Sequence, residues 1–181
     1  PGAWERTLTV SSFGKSFSAT GWKLGWVIGP ELLIEAVRKA HQWIPFVVAT
    51  PLQVAAAQVL RHARRDDDRY YREVRTSFEH RARALVNALR STPLEARMPE
   101  GGYFVMADAS SLGYADDVEA AWSLPEAFGV GAIPPSAFYL PEHKARAARW
   151  LRLAFCKPVP DLEEAARRLG TPRPPATSGR T

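Results

Sequence analysis

Two short runs rich in β-branched and apolar residues, 7–13 (TLTVSSF) and 24–29 (LGWVIG), bracket a stretch of small, hydroxylated and basic residues. Each run reads as a strand, the second a buried one. Two strands alone cannot form a sheet covered on both faces. The front of the chain is therefore expected to need partner strands that these 181 residues do not supply. The bracketed stretch carries Lys15 and Lys23, with Ser12 just ahead of Lys15. Gly14 and Gly21 within it permit close backbone approach. An amine kept reactive near neutral pH needs positive charge nearby and partial burial. A bound phosphate needs hydroxyls, backbone N–H groups and a cation. The stretch offers all of these residue types. The ordinary reading of such a segment is a turn with a surface lysine, and residue types alone favour it.

The rest of the chain alternates helical and strand patterns. A helix is expected from Pro30 to about Gln42, with Leu33, Ile34, Val37 and Ala40–His41 on one stripe. Residues 43–51, between Pro45 and Pro51, read as a loop. Thr50 is placed as N-cap and Pro51 at the first helical position of an alanine-rich helix, expected to be buried. The longest pattern runs from Asp66 to about Arg90. There Tyr70, Val74, Phe78, Ala82, Leu85 and Leu89 recur every three or four residues, with charges opposite. Strands are expected at 102–108, 130–133 and 150–155, and helices near 115–124 and over 160–169. The tail, rich in Pro, Thr and Ser, reads as disordered. The front is α/β and the back α+β. The expected division is 1–63, 64–172 and a tail, 173–181.

Net charge is +5, and 46% of residues are hydrophobic, enough for a sizeable core. The arginines of residues 61–97 alternate with Asp and Glu, the pattern of a solvated helix face rather than a nucleic-acid footprint. No apolar run reaches membrane-span length, and no signal peptide is seen. Neither nucleic acid nor membrane is an expected partner. The single cysteine, Cys156, rules out an internal disulfide and fits a reducing, cytoplasmic setting. His41, His62, His80 and His143 have no metal-ligand spacing, and no metal is expected.

In WLRLAF, 150–155, alternation puts Trp150, Arg152 and Ala154 on one face and Leu151, Leu153 and Phe155 on the other. A buried guanidinium must be paired, and its planar fork suits a carboxylate held bidentately. The plain alternative is an edge strand with Arg152 in water.

The string SFGKSFSATGWKLGW, 12–26, resembles the lysine motif of the class I/II aminotransferases, fold-type I enzymes that use pyridoxal 5′-phosphate (PLP). It is most similar to the branch of kynurenine, glutamine–phenylpyruvate and methionine aminotransferases. PEGGYFVMAD, 99–108, and AIPPSAFY, 132–139, resemble further segments of that family, in the same order. Pro135 stands where the family usually has glycine, and Pro125 interrupts an expected helix. The resemblance covers about residues 7–170 but the later portion only of the family's fold. It implies the end of the large α/β PLP-binding domain, a connecting helix and the small α+β domain.

The resemblance implies roles by position. Lys15 would be the Schiff-base lysine and the proton carrier, with Ser12 and Lys23 on the cofactor phosphate. Arg152 would clamp the substrate carboxylate, and Phe46 would reach a neighbouring subunit's active site in a homodimer. The implied reaction moves an amino group from an amino acid to a 2-oxo acid, and the aromatic residues Trp26, Phe46, Tyr103, Phe138 and Tyr139 lean toward aromatic or large apolar substrates. The family's phosphate-cradling helix start, ring-stacking aromatic and ring-nitrogen aspartate belong ahead of Pro1. Little or no activity is therefore expected of a C-terminal half on its own. Two other readings stay open: a β-lyase of the same fold, and a non-catalytic ligand-sensing domain of a transcription regulator.

Overall fold

β-Branched, hydroxylated residues and a following glycine turn produce a short antiparallel pair at the start of the chain. In the computed structural model, which describes residues 2–171 (the Asp66 side chain excepted), β1 (Thr9–Ser12) pairs with β2 (Gly25–Ile28). The register sets Ser12 opposite Gly25 and Thr9 opposite Ile28. The second run is not buried as expected: Gly25 and Ile28 are exposed, and Trp26 and Val27 half-buried. The tail expected to be disordered, 173–181, lies outside the described residues.

Helices follow the predicted periods. Between the strands lies a single turn, α1 (Phe13–Ser16). α2 (Glu31–His41) half-buries Leu33, Ile34 and Val37. α3 (Thr50–Ala63) is capped by Ala49, not Thr50, and Pro51 falls within its first turn, where a missing N–H costs nothing. α3 is not buried as a whole: only Ala56 and Ala63 are. Alanine-rich composition favours helix whether or not anything covers it. α4 (Arg65–Leu89) is the long helix. Contacts divide the chain between Tyr71 and Arg72, inside α4.

The apolar core lies in the second unit. Its sheet is antiparallel, in the order β3 (Glu95–Ala96), β4 (Phe104–Asp108), β5 (Trp150–Ala154). Alternation sends Val105, Ala107, Leu151 and Leu153 to one face, all buried. Ala82, Leu85 and Leu89 of α4 join the same cluster, as do Ala120 and Leu124 of α5 (Asp117–Ala127). Leu162, Ala166 and Leu169 of α6 (Val159–Leu169) complete it. Fully burying one such leucine is worth about 1.5–3 kcal/mol, so this unit has a dense apolar interior.

The strand expected at 130–133 is absent. Ile133 alone bridges to Arg152. Gly131 and the N–H-free Pro134 and Pro135 prevent a longer ladder. The short β3 was not expected. Pro125 lies inside α5, and the helix runs past it to Ala127. Pro135 opens a 3₁₀ turn, Pro135–Phe138, a position where its fixed φ fits and no N–H is required.

Candidate active site

Ser12, Lys15 and Lys23 come together. They line one hollow of about 360 Å³ in the first unit, with Ser11, Thr20, Gly14 and Gly25. Local backbone contacts build it. Phe13 N–H donates to the Leu24 carbonyl at 3.0 Å, continuing the β1–β2 ladder into α1. Ala19 N–H donates to the Gly14 carbonyl at 2.9 Å, closing the turn after Lys15. Lys23 takes the left-handed conformation (φ 54°) at the end of the 3₁₀ turn Thr20–Trp22.

The glycines are needed for closeness. A Cβ on Gly14 would stand 2.9 Å from Thr20 Cα, and one on Gly25 2.6 Å from the Ser11 carbonyl oxygen. Both approaches are shorter than real side chains tolerate, and both neighbours are backbone.

An aromatic stack supports the lysine turn from beneath. Phe13 is buried, with ring centroids 4.6 Å from Phe17 and 5.5 Å from Trp22. Phe17 in turn stacks on Tyr70 at 5.1 Å. Lys15 itself is exposed, as are Ser12 and Lys23. The hydroxyls of Ser11, Ser12 and Thr20 and two ammonium groups make a donor set that suits a phosphate monoester. Of the two amines, Lys23 would serve the phosphate and Lys15 is left to meet an aldehyde. The glycine cradle leaves room for both, so these residues fit PLP.

Phe46 does not line the hollow. It lies in the segment between α2 and α3, 78% exposed, at a φ of +64°. Trp43 and Ile44 beside it are also largely exposed.

Arg152 belongs to the second unit, on the sheet face opposite the apolar core. Sequence alone predicts either a paired guanidinium or one in water; the structure shows neither. Arg152 is half-buried, and its Cζ sits 4.0 Å from the Phe104 ring centroid and 4.4 Å from that of Phe138. Its Nε is buried with no hydrogen-bond partner among the described residues. Leaving such a donor unpaired is unfavourable, and a carboxylate is the natural acceptor for it.

Phe104 was missed in the sequence; it is the pairing of β4 with β5 that places it on Arg152's face. Asp117 was missed too. Among the described residues it is one of two buried polar ones, and it accepts a hydrogen bond from the Ser136 N–H at 2.7 Å. Among the described residues, no group of three His, Cys, Asp or Glu side chains could hold a metal ion. No helix there is long and apolar enough to cross a membrane.

Residues 1–169 match the family described as "Aminotransferase class I and II". The chain is 38% identical to a kynurenine–oxoglutarate transaminase of Dictyostelium discoideum, over 91% of this chain and 41% of the relative. Among solved structures it resembles the N-succinyldiaminopimelate aminotransferase of Mycobacterium tuberculosis, with a TM-score of 0.83 at 39% identity. That match covers 93% of this chain and 42% of the other. It also resembles an Escherichia coli protein with methionine aminotransferase function, with a TM-score of 0.78 at 37% identity, over 92% of this chain and 42% of that one. The chain thus spans about two fifths of the length of the relatives it matches. Both its sequence and its fold place it with them: the chain belongs to the aminotransferase class I and II family.

Proposed function

We propose that this chain supplies the reactive lysine and the carboxylate clamp of a PLP-dependent aminotransferase. The observation that carries the proposal is the convergence of Lys15, Lys23 and three hydroxyls on one glycine-cradled hollow. PLP, when bound, supplies an aldehyde for the amino group and an electron sink for the substrate's Cα. Ser12 and Lys23 would hold its phosphate, and Lys15 Nζ would be the amine presented to its aldehyde. Lys15 Nζ also takes the proton from the substrate's Cα, as a general base. Arg152 grips the substrate carboxylate through its fork of N–H groups. That grip fixes the orientation of the substrate's carboxylate end.

The substrates are then an amino acid and a 2-oxo acid. Phe104 and Phe138 around Arg152 favour donors with aromatic or large apolar side chains. The exposed segment carrying Trp43, Ile44 and Phe46 meets a second subunit in a homodimer. Full turnover needs the portion that the relatives hold outside the matched span, so this chain alone has little or no activity.

The test is covalent labelling. The chain is incubated with PLP, reduced with borohydride and mapped by mass spectrometry. A single adduct at Lys15, lost in K15A and competed by inorganic phosphate, is expected. Labelling spread evenly over surface lysines, or unchanged in K15A, overturns the assignment.

A further inference from the structure

The turn Pro135–Phe138 carries one of the two aromatic rings against Arg152, yet nothing obvious holds that ring in place. Phe138 is 64% exposed, so packing does not fix it. Its position is set by the backbone that precedes it. That backbone is tied at Ile133, which exchanges hydrogen bonds with Arg152 (Ile133 N–H to the Arg152 carbonyl at 3.1 Å, Arg152 N–H to the Ile133 carbonyl at 3.0 Å). Pro134 and Pro135 then offer no donor. The next N–H, that of Ser136, opens the 3₁₀ turn and has no carbonyl within it to reach. Ser136 is also buried, where an unpaired N–H is costly. Asp117 Oδ2 accepts that hydrogen bond at 2.7 Å.

Asp117 can serve as a fixed anchor because its own helix start is fixed. Asp116 accepts from the Val118 and Glu119 N–H groups at 2.9 and 2.8 Å, and Glu119 accepts from the Ala115 N–H at 2.6 Å. This reciprocal cap immobilises the first turn of α5. Asp117 is 2% exposed and lies in that turn, where the helix favours negative charge.

We propose that Asp117 is a positioning residue for the Arg152 clamp: by holding the Ser136 amide it sets the turn that lays Phe138 against the guanidinium. The proposal rests on the assignment of Arg152 as the carboxylate clamp. The ring covers part of the guanidinium's surface and so restricts the side from which a carboxylate reaches its fork. Without the anchor the turn is free to shift, the ring leaves Arg152, and the fork loses its preset orientation. Asp117 touches no reacting atom.

The experiment follows carboxylate binding to the 181-residue chain by NMR, with 3-phenylpropionate as the probe. The Arg152 Nε–H resonance is identified by its loss in R152K. In the wild type a saturable shift of this resonance is expected. D117A should weaken binding about tenfold, the worth of one hydrogen bond to a charged group. D117N keeps an acceptor oxygen at the same place and should stay within about twofold of the wild type, which a general need for the buried charge would not allow. F138A should weaken binding as D117A does, and D117A/F138A no more than either alone, because both act through one ring. Should D117A be too unstable to titrate, D117E, which moves the oxygen by one methylene, carries the same expectation. If the wild-type resonance does not respond to the probe, the clamp assignment itself fails and takes this proposal with it. If it responds but D117A binds as well as the wild type, or the double variant is additive, only the role of Asp117 is overturned.

Discussion

Tyr70 Oη donates a 2.8 Å hydrogen bond to the carbonyl of Ser16, 54 residues earlier in the chain. It joins the start of α4 to the turn that follows Lys15. With the Phe17–Tyr70 stack it forms the support beneath the lysine turn. Y70F removes the hydrogen bond and keeps the stack, and should lower the stability of the first unit by about 1 kcal/mol. Y70A removes both, and should cost roughly 0.5–1.5 kcal/mol more for the lost ring pairing. Urea denaturation followed by the fluorescence of Trp22, whose ring meets Phe13, reads both; a Y70F curve superposed on the wild type rules out a supporting role. Burial, with Tyr71 adding to it, raises the Tyr70 pKa above the ordinary 10.0. The folded state therefore keeps its proton longer than the unfolded chain. This contribution is present below pH 10 and is lost as the pH rises through the folded value, a slope that Y70F should lack.

Gly25 meets the Ser11 carbonyl oxygen more closely than any side chain allows. G25A must push β2 away from β1 at the point where Ser12 and Gly25 pair. The hollow should distort, and the affinity for inorganic phosphate should fall at least about tenfold, a loss of 1.4 kcal/mol. G21A is the control, since nothing lies within 4 Å of a Cβ there. Equal phosphate binding in the two variants, measured by calorimetry, contradicts the cradle.

The alternation in WLRLAF correctly separates Leu151, Leu153 and Phe155 from Arg152, because a strand's side-chain period is geometric and local. The lysine stretch likewise brings Ser12, Lys15 and Lys23 to one hollow through short-range turns. What escapes is set by distant partners. Phe104 reaches Arg152 only because β4 and β5 pair with Met106 opposite Arg152. Periodicity does not encode that register. Asp117 falls in a segment that the sequence marks only as helix, and its use appears only when the turn at Ser136 arrives beside it. The burial expected of α3 fails for a related reason: an apolar face is covered only where another element lies on it.

R152K keeps a positive charge and discards the fork. The ammonium can neither bond a carboxylate bidentately nor stack on Phe104 and Phe138 as the flat guanidinium does. Affinity for 3-phenylpropionate should fall at least about tenfold. Under the proposed function, KM for the amino-acid donor in the assembled enzyme should rise more than kcat falls, the signature of lost substrate binding. An R152K variant that binds the probe as tightly as the wild type leaves only a charge requirement and removes the argument for bidentate recognition.

Glu164 on α6 receives the Arg167 guanidinium at 2.7 and 2.8 Å and Arg168 Nε at 2.7 Å. The hydrogen bonds from Arg167 and then Arg168 lower its pKa from 4.5 to about 2. A carboxylate with a depressed folded pKa stabilises the fold while ionised. The stabilisation is therefore complete above pH 4.5 and is lost as the pH falls towards 2. Its size is modest, because the side chain is partly exposed and such pairs are screened by water and salt. Arg168 also reaches the Gly129 carbonyl at 3.4 Å, so Glu164 steadies the contact between α6 and the end of α5. E164Q should flatten the acid limb of thermal stability between pH 4.5 and 2 while leaving stability at pH 7 only slightly reduced. Repeating the series in 1 M salt should shrink the difference between wild type and variant, since the Debye length falls to about 3 Å. An acid limb identical in E164Q and the wild type at low salt means the carboxylate is not held by its two arginines.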